Sequence, residues 1–220
     1  MPHFSFSPTS LNLFLDCPRC FWLHFNREIR RPRGAFPSLP GGMDRVIKEY
    51  YDIYRKKQQL PPELEGKVEG LLFEDTAVLE DWRNWRKGLS LEDGRLDVTL
   101  KGALDDCLIR DGLHHPLDYK TKGSAPTLED ARRYYQNQLD CYALLLESNK
   151  RPAGSFGYLV YYYPGKVGEK GIVQFQVEPF RLEIDPFRAK ERMKEAVTLL
   201  KSPEPKSVHC EYCEYTGSFE

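Results

Sequence analysis

Asp105, Asp118 and Lys120 are the residues whose types and spacing come closest to a reaction centre. Asp111-Gly112 separates the apolar runs Leu104–Ile109 and Leu113–Tyr119, and such a dipeptide favours the two central positions of a tight hairpin turn. With these residues at the tip, paired positions sum to 223, which sets Asp105 opposite Asp118. Directly opposed residues bring their Cβ atoms to roughly 5 Å, and like charges there weaken the pairing. A divalent cation between the carboxylates reverses that penalty, so the spacing predicts a metal site. Lys120, two residues beyond Asp118, projects from the same face, and its partner position holds the small Ala103. Mg²⁺ takes a few carboxylate oxygens together with waters and phosphate. It then polarises the phosphate and lowers the pKa of a bound water. An ammonium beside it holds the attacking water or offsets charge on the phosphorane. The alternative is a pair of solvent-facing strand carboxylates with Lys120 as an ordinary ion-pair partner.

A second chemistry lies at the two ends of the chain. Cys17-Pro-Arg-Cys20 and Cys210-Glu-Tyr-Cys213 are C-x-x-C pairs, and two such pairs complete a tetrahedral S₄ set for a metal. Four free thiols are the alternative, and His209 beside Cys210 reads as incidental. Cys107 and Cys141 fall within a strand and a helix and read as small core residues. No apolar run reaches a membrane span, and the first residues lack the layout of a signal peptide. The expected location is therefore the reducing cytoplasm, where cysteines are thiols or ligands in preference to disulfides.

Positioning these groups requires a folded scaffold, and the composition supports one. Of the 220 residues, 40% are hydrophobic and 30% charged, with a net charge of −1, so a polyanionic partner would need local basic patches. Ser7-Pro8 opens an N-terminal helix with an apolar face of Leu11, Phe14 and Leu15 that ends near Cys17-Pro18, and Arg30–Gly42 reads as a surface loop. Helical spacing returns over Met43–Arg55 and again over Leu79–Leu89, which includes Trp82 and Trp85. Alternation from Leu96 to Gly102, continued over Leu104–Ile109, reads as one strand. Thr127 caps a long helix whose buried stripe is Ala131, Tyr135, Leu139, Tyr142, Ala143 and Leu146. Strands over Phe156–Tyr163 and Gly171–Pro179 and a helix over Pro186–Leu200 follow. The order predicts an α/β (α+β) fold with a central mixed sheet flanked by helices.

Gly102-Ala-Leu-Asp105, then Pro116-Leu-Asp118-Tyr-Lys120-Thr121, and Gln138-Leu-Asp-Cys-Tyr142 on the following helix resemble the motifs of the PD-(D/E)XK nucleases, specifically the RecB-like and Cas4-like branch. Ser7–Trp22, with its Cys-Pro-Arg signature, resembles the first helix of that branch. The resemblance implies a restriction-endonuclease-like core in a single domain over 1–220. Its core would span about 43–180, and helix 7–25 and residues 186–220 would form a cysteine-linked lobe. It implies Mg²⁺ or Mn²⁺ on Asp105, Asp118 and the backbone carbonyl of Tyr119, with Gln138 and Tyr142 bordering the site. Many members place a metal-binding His in the helix after a Gly-containing loop, but Gly41–Lys48 has none. Asp44 is the nearest oxygen ligand there, or else a helix-surface charge. The family also implies a [4Fe-4S] cluster on Cys17, Cys20, Cys210 and Cys213, with Zn²⁺ as the alternative. Relatives usually divide these cysteines one and three, whereas this chain divides them two and two.

Arg30, Arg31, Arg33, Lys122, Arg132 and Arg133 are candidate phosphate contacts, while Arg83, Arg86 and Lys87 on the Trp82 helix read as a solvated face. Tyr161-Tyr162-Tyr163 reads as a base-stacking face or as packing. The expectation is a metal-dependent exo- or endonuclease acting on DNA, single-stranded or with single-stranded ends, in repair, recombination or defence, with a helicase or another such protein as partner. A nucleic-acid-binding module of a larger complex, with little cleavage, is the alternative.

Overall fold

Ser7 and Ser10 cap the first helix reciprocally, each side chain accepting from the other's backbone N–H, and Pro8 fills the first helical position. The computed structural model describes residues 3–32, 34, 38–206 and 210–213, so Arg33 and His209 lie outside the described residues. The first helix ends near Cys17-Pro18 as expected: α1 (Pro8–Asp16) stops where Pro18 cannot continue it, and α2 (Pro18–Asn26) restarts with Cys17 as its cap, so the segment 7–25 of the expected lobe holds two helices. α3 (Ser38–Lys56) begins inside the expected loop, because Pro40 falls in its first turn, where a missing N–H does no harm. α4 (Thr76–Arg83) is capped by Asp75 and ends six residues before Leu89, since Asn84 and Gly88 turn the chain away.

Two sheets stand where one was expected. β1 (Phe4–Phe6), β3 (Leu89–Asp93) and β4 (Val98–Gly102) form the smaller, in the order β1-β4-β3. β2 (Leu71–Leu72), β5 (Asp106–Arg110), β6 (Leu113–Thr121), β7 (Phe156–Val167) and β8 (Val173–Glu183) form the larger, in that order. The run read as a single strand from Leu96 to Ile109 breaks at residues 103–105, where Leu104 N–H turns to the carbonyl of Trp82. The hairpin of β5 and β6 keeps the predicted register from Asp106 with Leu117 to Arg110 with Leu113, but the ladder stops there: the chain leaves the sheet at residues 103–105, so Asp105 and Ala103 are not strand partners of Asp118 and Lys120 as expected. Asp111 and Gly112 at its tip have φ of 52° and 76°, the left-handed pair that a two-residue turn requires.

β6 and β7 run parallel, and the crossover between them contains α5 (Leu128–Ser148), capped by Thr127. From Leu139 to Leu146 every residue of α5 is buried, a wider face than the predicted stripe. Asp140, fully buried there, accepts two hydrogen bonds from Arg188 at 2.6 Å and one from Arg192 at 3.1 Å, both on α6 (Pro186–Leu200). The tyrosine run on β7 is packing: Tyr161 and Tyr162 are buried on opposite faces of the sheet, as strand alternation requires. Among the described residues, no helix is long and apolar enough to cross a membrane.

Under α3 lies a buried ionic knot. Asp106 is fully buried and receives hydrogen bonds from Arg55 (2.5 Å), Arg83 (3.1 Å) and the Tyr119 hydroxyl (2.5 Å). Arg55 also donates to the carbonyl of Phe73, and Arg83 to that of Asp105 at 2.7 Å. A charge buried this way is tolerable only while its partners remain. Arg55→Ala is expected to lower stability by about 3 kcal/mol. Urea unfolding should show it as a lower midpoint at unchanged slope. A midpoint equal to the wild type's would overturn this role for Arg55.

Candidate functional site

Asp118 is the anchor. It lies on β6, its side chain 1% exposed, facing α5. Gln138 Nε2 donates to its Oδ1 at 2.9 Å and to the Tyr142 hydroxyl at 2.7 Å. These two helix residues act together because four positions on an α-helix bring them to one face. Asp118 Oδ2 forms an ion pair with Lys120 but receives no well-directed hydrogen bond. Burial pushes the Asp118 carboxyl up to about 7; Asp105 adds to the rise and Lys120 opposes it. Lys120 sits over the Tyr135 ring at 4.5 Å. Burial works against its charge, but Asp118 outweighs that and holds its pKa above the ordinary value.

Asp105 lies one residue before β5, near enough to Asp118, Lys120 and Tyr142 to shift all three in the direction of its negative charge. Its carbonyl is fixed by Arg83, and its carboxylate forms an ion pair with Lys48 at 2.7 Å. Lys48, on α3, also pairs with Asp44 at 2.9 Å. Asp44 therefore joins the cluster through Lys48. Sequence reasoning missed Lys48 because Asp44-x-x-x-Lys48 has the spacing of a routine helix-surface pair. Tyr119 turns its ring to the opposite face against Tyr51, leaving its backbone between the two site residues of β6.

Asp105 and Asp118 offer hard carboxylate oxygens, and Asp118 Oδ2 is buried without a hydrogen bond. This donor set fits Mg²⁺ or Mn²⁺.

The other basic candidates divide. Arg30 and Arg132 are exposed. Arg132 and Arg133 line a cavity of about 540 Å³ with Asn12 and Arg192. Lys122 is paired with Asp130 at 2.7 Å. Arg31 is engaged elsewhere: it pairs with Asp16, donates to Cys210 Sγ at 3.5 Å and stacks over Tyr212. Arg83, expected on a solvated face, is half-buried in the ionic knot.

The four cysteines converge. Cys17 and Cys213 sulfurs are 3.6 Å apart, Cys20 and Cys210 3.4 Å, Cys210 and Cys213 3.4 Å, and all four lie within 4.8 Å of one another. The Cys17 sulfur also caps α2 by accepting from Cys20 N–H. Burial raises Cys17, Cys20 and Cys213. Burial opposes the Cys210 thiolate too, but hydrogen bonds from Cys213 and Cys20 bring it down to about 7. A tetrahedral ion with bonds of about 2.3 Å holds its sulfurs about 3.8 Å apart, which this set fits.

The family model of the PD-(D/E)XK nuclease superfamily matches residues 37–218. Among curated proteins no relative matches the sequence.

The raised Asp118 has a measurable consequence without metal. An unfolded aspartate titrates near ~3.9, so between there and about 7 the folded state holds a proton that the unfolded chain lacks. This group's contribution to stability is full below that window and is lost as pH rises through it. Urea midpoints between pH 5 and 8, in buffer freed of divalent ions, should fall further for the wild type than for Asp118→Asn. Parallel curves would overturn the assignment.

Proposed function

The chain belongs to the PD-(D/E)XK nuclease superfamily, and from that premise we propose that it is a divalent-metal-dependent deoxyribonuclease of the RecB-like and Cas4-like branch. The observation that carries the reading is the convergence of Asp105, Asp118 and Lys120 on one buried spot, with Gln138 orienting Asp118. Asp105 and Asp118 would hold Mg²⁺ or Mn²⁺, with the Tyr119 carbonyl and Asp44 as further oxygen donors. When bound, the ion polarises the scissile phosphate and lowers the pKa of a water.

The chain's own residues do the rest. Gln138 holds Asp118 Oδ1 and leaves Oδ2 directed at the site. Lys120, held between Asp118 and the Tyr135 ring, donates to the attacking water or a phosphate oxygen. Lys48 balances Asp105 and is a second cation for the phosphate. Arg30, Arg132 and Arg133 add sequence-independent phosphate contacts. The substrate would be DNA with single-stranded ends, in repair, recombination or defence alongside a helicase or similar partner.

One observation favours the other reading, a nucleic-acid-binding module with little cleavage: the Gly41–Lys48 segment, where the family resemblance implies a metal-binding His, has none, and its Lys48 pairs with Asp105. End-labelled single strands, duplexes and flaps incubated with Mg²⁺ or Mn²⁺ separate the two. Cleavage that falls by at least ~100-fold in folded Asp118→Ala and Lys120→Ala supports the nuclease. DNA bound but left intact by the wild type would support the module.

For the cysteine clasp, the sulfur spacing supports a single zinc ion over the [4Fe-4S] cluster. It would tie the C-terminal Cys210 and Cys213 to the first turn of α2, adding metal-binding energy to folding. Anaerobically purified protein should be colourless with about one zinc per chain. A brown protein containing iron and inorganic sulfide would reverse that choice.

A further inference from the structure

Beside the acidic site lies a cleft of about 350 Å³ whose lining includes Gln138 and Tyr142. Trp85, Lys87 and Lys101 line the same cleft, together with the small Gly102 and Ala103. The cleft is therefore continuous with the residues that hold Asp118.

Trp85 is 78% exposed, while Trp82, three residues earlier, is buried. Burying an indole releases a large apolar surface from water, so one left out beside a cleft is unusual. The turn that presents it is well held. Asn84 caps α4, its side chain accepts from Arg86 N–H at 2.9 Å, and Gly88 N–H bonds Asp81 at 3.0 Å. Gly88 has φ of +52°, and a Cβ there would meet the Gly102 carbonyl oxygen at 2.6 Å, so the turn sits tightly against β4. The Arg86 guanidinium lies over the ring at 5.1 Å. Lys101 makes no ion pair among the described residues, and Lys87 holds only the exposed Asp81.

An exposed aromatic ring flanked by ammonium groups, in a cleft floored by small residues, has the chemistry of a single-strand site. The ring stacks an unpaired base and the cations take the adjoining phosphates. A duplex has its base faces covered by its own stack and offers the ring nothing except at an end. We infer that this cleft carries an unpaired segment of a DNA substrate, with a base stacked on Trp85 and phosphates on Lys101 and Lys87. Trp85 thereby sets the preference for single strands over duplex. The inference rests on the nuclease reading and adds the residue that selects its substrate.

The test uses the full chain and its Trp85→Ala and Trp85→Phe variants, with labelled oligothymidylate and a blunt duplex as probes, read by anisotropy without added divalent ions. Trp85→Ala should weaken oligothymidylate binding roughly tenfold and duplex binding little, and Trp85→Phe should retain most of the affinity. Oligothymidylate should quench tryptophan emission in the wild type, and that quenching should be lost in Trp85→Ala. In cleavage assays with Mg²⁺, KM for single-stranded ends should rise while kcat holds. Equal losses on both probes, or none, would overturn the inference while a wild type that still cleaves DNA leaves the nuclease reading standing. A wild type that neither binds nor cleaves DNA would sink both.

Discussion

Everything at the site depends on one carboxylate deprived of water. Asp118 sits in the buried stretch of β6, and desolvation raises it until a proton can compete with the Lys120 ammonium for the same oxygen. An exposed aspartate would remain ionised and keep its hydration shell. This one is held by Gln138 on one oxygen, with the other facing Lys120 alone, and so is primed for a hard cation. Asp105, just before β5, adds a second negative charge that raises Asp118 further. Lys48 and Lys120 offset part of that repulsion.

Around this group the fold supplies two rigid supports. On one side Asp140, held by Arg188 and Arg192, fixes α5 against α6 and with it the register of Gln138 and Tyr142. On the other, the Asp106 knot reaches Asp105 through Arg83, which bonds both the carboxylate of Asp106 and the carbonyl of Asp105. Neighbouring aspartates in sequence thus take opposite roles: Asp106 is neutralised inside the protein and Asp105 faces the site. The cysteine cluster is a third constraint, joining segments nearly two hundred residues apart in the chain through sulfurs 3.6 Å and 3.4 Å apart. A metal bound there would be coupled to folding, because no such site exists in the open chain.

The elements most readable from sequence were those with local causes. Asp111-Gly112 dictates its turn through the φ values it tolerates, and the register of β5 and β6 follows by counting. Thr127 caps α5 by accepting from Asp130, and Pro186 opens α6, where the helix was expected. Harder to read were the break at residues 103–105 and the short β1, β2 and β3, whose pairing depends on strands far away in sequence. Apolar alternation across Leu96–Ile109 looks the same whether one sheet or two receives it. Lys48 and Arg83 were hidden for a similar reason, since each reads locally as a surface charge and acquires its partner only when α3 and α4 pack.

From the sequence alone came the acidic pair and its lysine, through turn chemistry and strand alternation that act over a few residues, the long helix after Thr127, through its cap and periodicity, and the paired C-x-x-C motifs, through their spacing. Gln138 and Tyr142 were singled out on that helix by the family resemblance. Tertiary structure alone decided that Asp118 is dry enough to hold a proton near neutrality, that Lys48 reaches Asp105, and that the four sulfurs lie within 4.8 Å of one another. Burial and long-range Coulomb contacts depend on what packs against a residue, and a one-dimensional string carries no record of that.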